Sequence, residues 1–189
     1  ELPAGARSLA KVAEFQSADT QIRDIAGVLG SSPTLSAGLV ALANHSIYRG
    51  EEIVESVEAA VARFGHRETF CLAGALAWQE CARPLGLYGV SADELWAAGV
   101  FTGLLMRQLA VATDLDGGAA FMAGLLRSIG KVVLNELARR TAEMPPYTES
   151  DETLPQWEDG LLGYTNTDVA TAVLEVWQFP IEIGTAVRC

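Results

Sequence analysis

The chain has 189 residues, half of them apolar and 20% charged, with a formal net charge of −11. That size suits one globular domain or two closely packed halves, and it buries enough surface to fold without disulfides or metal. Its 13 basic residues are scattered, which argues against a nucleic-acid partner and against a polybasic membrane contact, since both rest on clustered Lys and Arg. Cys71, Cys81 and Cys189 form no CxxC pair, so a reducing, cytoplasmic setting is expected. No signal-peptide pattern is visible. The most apolar stretch, LWAAGVFTGLLMRQLAVA, is interrupted by Arg107 and Gln108 and reads as too short to span a bilayer. The chain begins at Glu1 and stops at Cys189 directly after a helical pattern, as expected of a piece of a longer protein.

Helical periodicity dominates, and strand alternation is hard to find. SLAKVAEFQ places Leu9, Val12, Ala13 and Phe15 near one face. DTQIRDIAGVLG follows, with Asp19 or Thr20 as N-cap, Ile22, Ile25, Ala26 and Leu29 on one stripe, and Gly30 as the stop. Pro33 opens the next helix, where a missing N–H costs nothing. Residues 56–65 form a short helix ended by Gly65, and Arg67 to Arg83 another, stopped by Pro84. Ser91 and Glu94 have capping-box spacing and open a helix to about Thr113. DLDGG is a turn in which Asp114 and Asp116 serve as solvated turn and helix cap. Residues 118–142 form one helix, or two jointed at Gly130. EMPPYTESDETLPQ is the one long irregular segment. Thr165 or Asn166 caps a helix through Trp177, and another starts after Pro180. The expected fold is all-α, a compact array of about ten helices.

Chemistry is scarce. A metal site in such a fold needs His, Asp or Glu from several helices, and the chain has only His45 and His66, both beside expected helix ends. Cys71 and Cys81 read as small buried hydrophobes. Glu94, Glu158 and Asp168 are candidate acids for an unrelated enzyme, but helix caps explain them better. In AGLLRSIGKVVL, Leu125, Leu126, Ile129, Val132 and Val133 form one face, with Arg127 and Lys131 together opposite and Ser128 beside them. A solvated edge near Glu136 or the 149–152 loop is the favoured reading, and a small anion pocket the sharper one.

Taken in order, these blocks resemble the HDOD domain, a bacterial all-helical signalling module related to the HD metal-dependent phosphohydrolases. The resemblance runs from Leu2 to about Arg188 through Pro33, Leu35, Leu42–Ala43–Asn44, Gly65, Leu95–Trp96, Glu158, Gly163, Trp177 and Pro180. It implies an N-terminal helical bundle, residues 1–113, packed on a C-terminal HD-like half, residues 114–189. AFMAGLLRSIGKVVL resembles the stretch that in HD enzymes reads Gly-Leu-Leu-His-Asp-Ile-Gly-Lys, so Arg127 and Ser128 stand for its His-Asp pair. Ala98 stands where another histidine follows Leu-Trp, Asn166 where the last block often carries one, and Cys189 near where more can follow. A guanidinium repels a divalent ion, and serine and alanine do not replace the lost ligands. Gly130 is expected to persist because a neighbouring helix packs closely on it.

These departures from the HD pattern imply no cofactor and no catalysis. The resemblance implies a regulatory module that contacts other signalling domains or proteins, in systems linked to two-component or cyclic-dinucleotide signalling. The alternative is a pseudoenzyme that binds a nucleotide or phosphate anion in the vestigial cleft through Arg127, Ser128 and Lys131, with Asn166 as polar partner and Trp96 as a wall.

Overall fold

The computed structural model describes residues 4–14, 22–48, 50, 52–141, 144–148 and 153–188. Ten α-helices occur among the described residues, and the one β feature there is an isolated antiparallel bridge between Leu85 and Val90. The fold is all-α, as the periodicity implied. The chain divides into two compact units, Pro3–Glu80 and Cys81–Cys189.

The first unit holds α1 (Ala4–Ala13), α2 (Ile22–Gly30), α3 (Pro33–Ala43) and most of α4 (Val57–Cys81). Leu9, Ile25, Leu29, Leu35, Leu39, Val61 and Trp78 are out of contact with water, which is where the apolar stripes of these helices meet. A Cβ on Gly38 would lie 2.8 Å from a Leu76 methyl group, so α3 and α4 approach closely there. Asn44 follows α3 and clamps the next turn: its Nδ2 donates to the Val40 and Val54 carbonyls, and its Oδ1 accepts from the Val54 N–H. Pro33 sits at the start of α3 and α2 ends at Gly30, both as expected. Phe15, Asp19 and Thr20 lie outside the described residues.

Two helices were expected either side of Gly65. Both form: α4 is two helical stretches joined at a kink, where Gly65 adopts a non-helical φ of 73° and ψ of 170°. That left-handed φ is open to glycine and strained for other residues. The chain resumes its helix at once, with no loop between, and His66 is the first residue past the bend.

The second unit contains α5 (Ala92–Ala112), α6 (Gly117–Leu126), α7 (Ile129–Thr141), α8 (Leu154–Leu162), α9 (Asn166–Val176) and α10 (Ile181–Arg188). The Ser91–Glu94 capping box forms as predicted, with Glu94 N–H on Ser91 Oγ and Ser91 N–H on Glu94 Oε2. Asp116 caps α6 by accepting from the N–H groups of Gly118 and Ala119. α5 and α6 touch backbone to backbone: a Cβ on Gly124 would sit 2.8 Å from Gly103 Cα, and one on Gly103 2.8 Å from the Phe121 carbonyl oxygen. This contact groups α5 with the C-terminal unit, so the division falls at Glu80/Cys81 where the sequence reading placed it at 113/114.

Two element boundaries differ from expectation. The joint within 118–142 lies at Arg127–Ser128, not at Gly130. Gly130 lies inside α7, where an added Cβ would overlap the Asn166 carbonyl oxygen and lie 2.9 Å from Ala170 N. That is the close helix contact predicted for it. α8 falls partly in the segment read as irregular; Thr153 and Gln156 form a capping box, Pro155 occupies the first turn, and Gly163 ends the helix at φ 77°.

The outward side of α5 is apolar, with Phe101 63%, Leu105 48% and Leu109 67% exposed. By length and composition alone, Ala92–Ala112 and Gly117–Arg140 are long and apolar enough to cross a membrane, although the second is interrupted by the Arg127–Ser128 turn. The interruption at Arg107 and Gln108 therefore does not make the α5 stretch too short on length alone.

Candidate functional site

The site grows from the elbow between α6 and α7. α6 ends on Leu125 and Leu126, both fully buried, and these anchor the turn. Arg127 and Ser128 then leave the helix, and the Lys131 N–H donates to the Ser128 carbonyl to restart it. Arg127 is exposed, while Ser128 and Lys131 are half-buried. The three were expected on a solvated helix edge. They instead line a cleft, because the break at the elbow turns them off the continuous helical surface.

The cleft consists of two adjoining cavities that share Thr102, Arg127, Ser128 and Lys131. One, about 390 Å³, is walled by Leu85, Val90, Leu95 and Ala98, with Glu94 at its rim. The other, about 420 Å³, extends to Asn166 and Thr167 at the start of α9 and to Arg188 on α10. Arg127, Ser128, Lys131 and Asn166 are therefore brought together as the sequence reading grouped them. Trp96 lines neither cavity, and Leu95 and Ala98 take that wall. About 100° of helix rotation separates Trp96 from its neighbour Leu95.

Glu136 does not serve Lys131; it lies 3.4 Å from Arg139 and 3.6 Å from Arg140. Residues 149–152 lie outside the described residues. The carboxylate near Lys131 is Glu158, which is fully buried. Its Oε1 accepts from the Tyr88 hydroxyl at 2.8 Å; its Oε2 accepts from Asn166 N at 2.7 Å and Asn166 Nδ2 at 2.8 Å. Lys131 Nζ stands 5.5 Å from the centre of the Tyr88 ring.

These contacts set the electrostatics. Burial holds the Lys131 ammonium below the usual lysine pKa, Glu158 opposes that shift, and Arg127 adds to it. Burial pushes the Tyr88 hydroxyl up, and the hydrogen bond to Glu158 and its charge push the same way. Among the three candidate acids, Glu94 and Asp168 are exposed capping-box carboxylates, held below their usual range chiefly by the Ser91 and Thr165 hydrogen bonds. Glu158 also serves a helix start, that of α9, but from inside the core. The sequence held a signal for its burial: Glu158 lies four residues after Leu154 and four before Leu162, on the apolar stripe of α8. Arg188, Thr102 and Thr167 were missed because they reach the cleft from separate helices, and Tyr88 because it meets Glu158 from a turn 70 residues away.

A divalent metal does not fit this donor set. The polar groups lining the cleft are two guanidiniums, an ammonium, hydroxyls, an amide whose Nδ2 serves Glu158, and one carboxylate, Glu94, which is held by the Ser91 capping box. Among the described residues, no group of three or more His, Cys, Asp or Glu is placed to hold a metal. His45 and His66 belong to the other unit, His45 in the turn after α3 and His66 within α4.

The chain matches the HDOD domain family over residues 2–189. Among solved structures it is similar to a protein described as a candidate phosphohydrolase from Shewanella amazonensis SB2B, with 20% identity and a TM-score of 0.73. It is also similar to one described as a candidate signal transduction protein from Marinobacter aquaeolei VT8, with 28% identity and a TM-score of 0.66. An HDOD domain protein with unknown function from Geobacter sulfurreducens matches at 21% identity and a TM-score of 0.68. Each match covers 100% of this chain, which in turn spans 66%, 43% and 64% of those three chains. No curated protein matches the chain.

Proposed function

From the premise that the chain belongs to the HDOD domain family, we propose that it is a non-catalytic module of cytoplasmic signal transduction that acts through contacts with other signalling domains or proteins. The systems it would serve are linked to two-component or cyclic-dinucleotide signalling. One observation carries this reading: at the elbow where HD enzymes present a His-Asp pair, Arg127 and Ser128 line the cleft, with Ala98 on its wall. A fixed cation at that point raises the energy of a bound divalent ion, and water is then not activated there. The exposed apolar side of α5 supports a contact role.

The experiment is metal analysis of the purified chain after equilibration with Mn²⁺, Fe²⁺ and Zn²⁺, paired with phosphodiester hydrolysis by the same samples. Substoichiometric metal and no turnover are expected. A full equivalent of metal with turnover would overturn the proposal. The cations of the cleft favour a second role on the same scaffold, the binding of an anionic ligand.

A further inference from the structure

The chain carries a net charge of −11, yet Arg127, Lys131 and Arg188 converge on a single cavity. No carboxylate lines that cavity among the described residues. Two acids stand outside that lining, although Glu158 attracts Lys131 and Asp168 attracts Arg188. Glu158 lies behind Asn166 with both oxygens taken by three donors, and Asp168 is held by the Thr165 N–H and hydroxyl while it faces Arg188. Thr167 sits in the first turn of α9, where a backbone N–H has no acceptor within its own helix and the helix dipole favours an anion. The Ser128 and Thr167 hydroxyls also line the cavity.

The two cavities differ in character. The one walled by Leu85, Val90, Leu95 and Ala98 is apolar, and its carboxylate, Glu94, is bound up in the Ser91 capping box at the rim. A ligand for the whole cleft therefore needs a compact anion at one end and an apolar or aromatic body at the other. Each cavity falls within the range, roughly 300–1,000 Å³, that small-molecule sites occupy. Three cations, from the elbow, α7 and α10, two of them guanidinium forks, suit a phosphate dianion better than a single carboxylate.

We infer that the cleft binds an organic phosphomonoester, its phosphate among Arg127, Lys131, Arg188 and the first turn of α9, its body over Thr102 in the apolar cavity. The inference rests on the second reading above, anion binding, and names the ligand class. Lys131 and Arg127 repel one another, and a phosphate between them offsets that repulsion.

Calorimetry in the presence of EDTA tests it with three probes: AMP, inorganic phosphate and adenosine. AMP is expected to bind about tenfold or more tighter than phosphate, because only AMP fills the apolar cavity, and adenosine is expected to show no binding. Arg188→Ala and Arg127→Ala each remove an exposed side chain, so the unfolding midpoint of the free chain should stay put while AMP affinity falls about tenfold. Ala98→Leu fills the apolar wall and should weaken AMP while sparing inorganic phosphate. Equal affinity for AMP and phosphate, with Arg188→Ala silent, would overturn the inference and leave anion binding standing. Failure of both probes would overturn both. AMP binding that requires added Mn²⁺ would overturn these and the non-catalytic reading as well.

Discussion

Asp168 and Glu158 both serve the first turn of α9, one from the water side and one from the core side. Asp168 is exposed and closes a capping box with Thr165. Glu158 is fully buried and takes three hydrogen bonds, two from Asn166 and one from Tyr88. On the outside, water replaces a lost partner. On the inside water reaches the donors less, since Tyr88 is buried and Asn166 half-buried, so a donor left behind keeps much of its desolvation cost. The difference teaches that the position of a carboxylate relative to solvent, more than its bond count, sets what its removal costs.

The widest gap should come from Glu158→Ala, which strands three donors and the neighbouring Lys131 charge. Denaturant unfolding should show a loss of about 3–5 kcal/mol. A loss no larger than that from Thr165→Ala would erase the contrast between the two sides. Gly130→Ala comes next, since its methyl group overlaps the Asn166 carbonyl and forces α7 and α9 apart; about 2–3 kcal/mol is expected, read from the shift in midpoint. Tyr88→Phe removes one bond to Glu158 and should cost about 1.5–3 kcal/mol.

That tyrosine also gives a pH signature. Its folded pKa is raised, so above the unfolded value, about 10, the unfolded chain releases a proton that the folded chain keeps. Stability should fall as pH rises past that point, and Tyr88→Phe should flatten the fall. Lys131 partly opposes it, because its folded pKa is lowered and the folded chain sheds that proton first.

The smallest effect lies on the outer side. Thr165→Ala should cost about 1 kcal/mol by the same unfolding assay. The Asp168 and Glu94 pKa values are lowered by folding, so their contributions are present above the usual carboxylate range and fade as pH drops through the lower folded values. Asp168→Asn should reduce the slope of acid unfolding without moving the alkaline limb.

Local chemistry made much of the fold legible. Pro33, the Ser91–Glu94 box and Thr165 mark helix starts by satisfying or sparing backbone N–H groups, and those signals act within four residues. The close contact at Gly130 was legible too, since a glycine inside an apolar helix has few other reasons to be there. The elbow was not. The periodic pattern from Leu125 to Val133 accommodates a break at 127–128 or at 130, and the fixed packing of Leu126 and Ile129 decides it. α8 was hidden because Pro155 reads as a loop residue, although Thr153 and Gln156 announce a helix start.

At the site, Arg127 and Lys131 were visible as a pair on one stretch. Arg188 and Glu158 join them from distant positions, through contacts that no local pattern encodes. Trp96 was chosen for its chemistry, and the rotation of α5 presents Leu95 and Ala98 to the cleft in its place.

Soaking crystals of the chain in Mn²⁺ and recording anomalous scattering at the metal edge addresses the cleft without assuming a substrate. No anomalous peak is expected beside Arg127 and Ser128. A full-occupancy peak there, within bonding distance of protein oxygen or nitrogen atoms, would contradict the reading of the cleft as one that holds no metal.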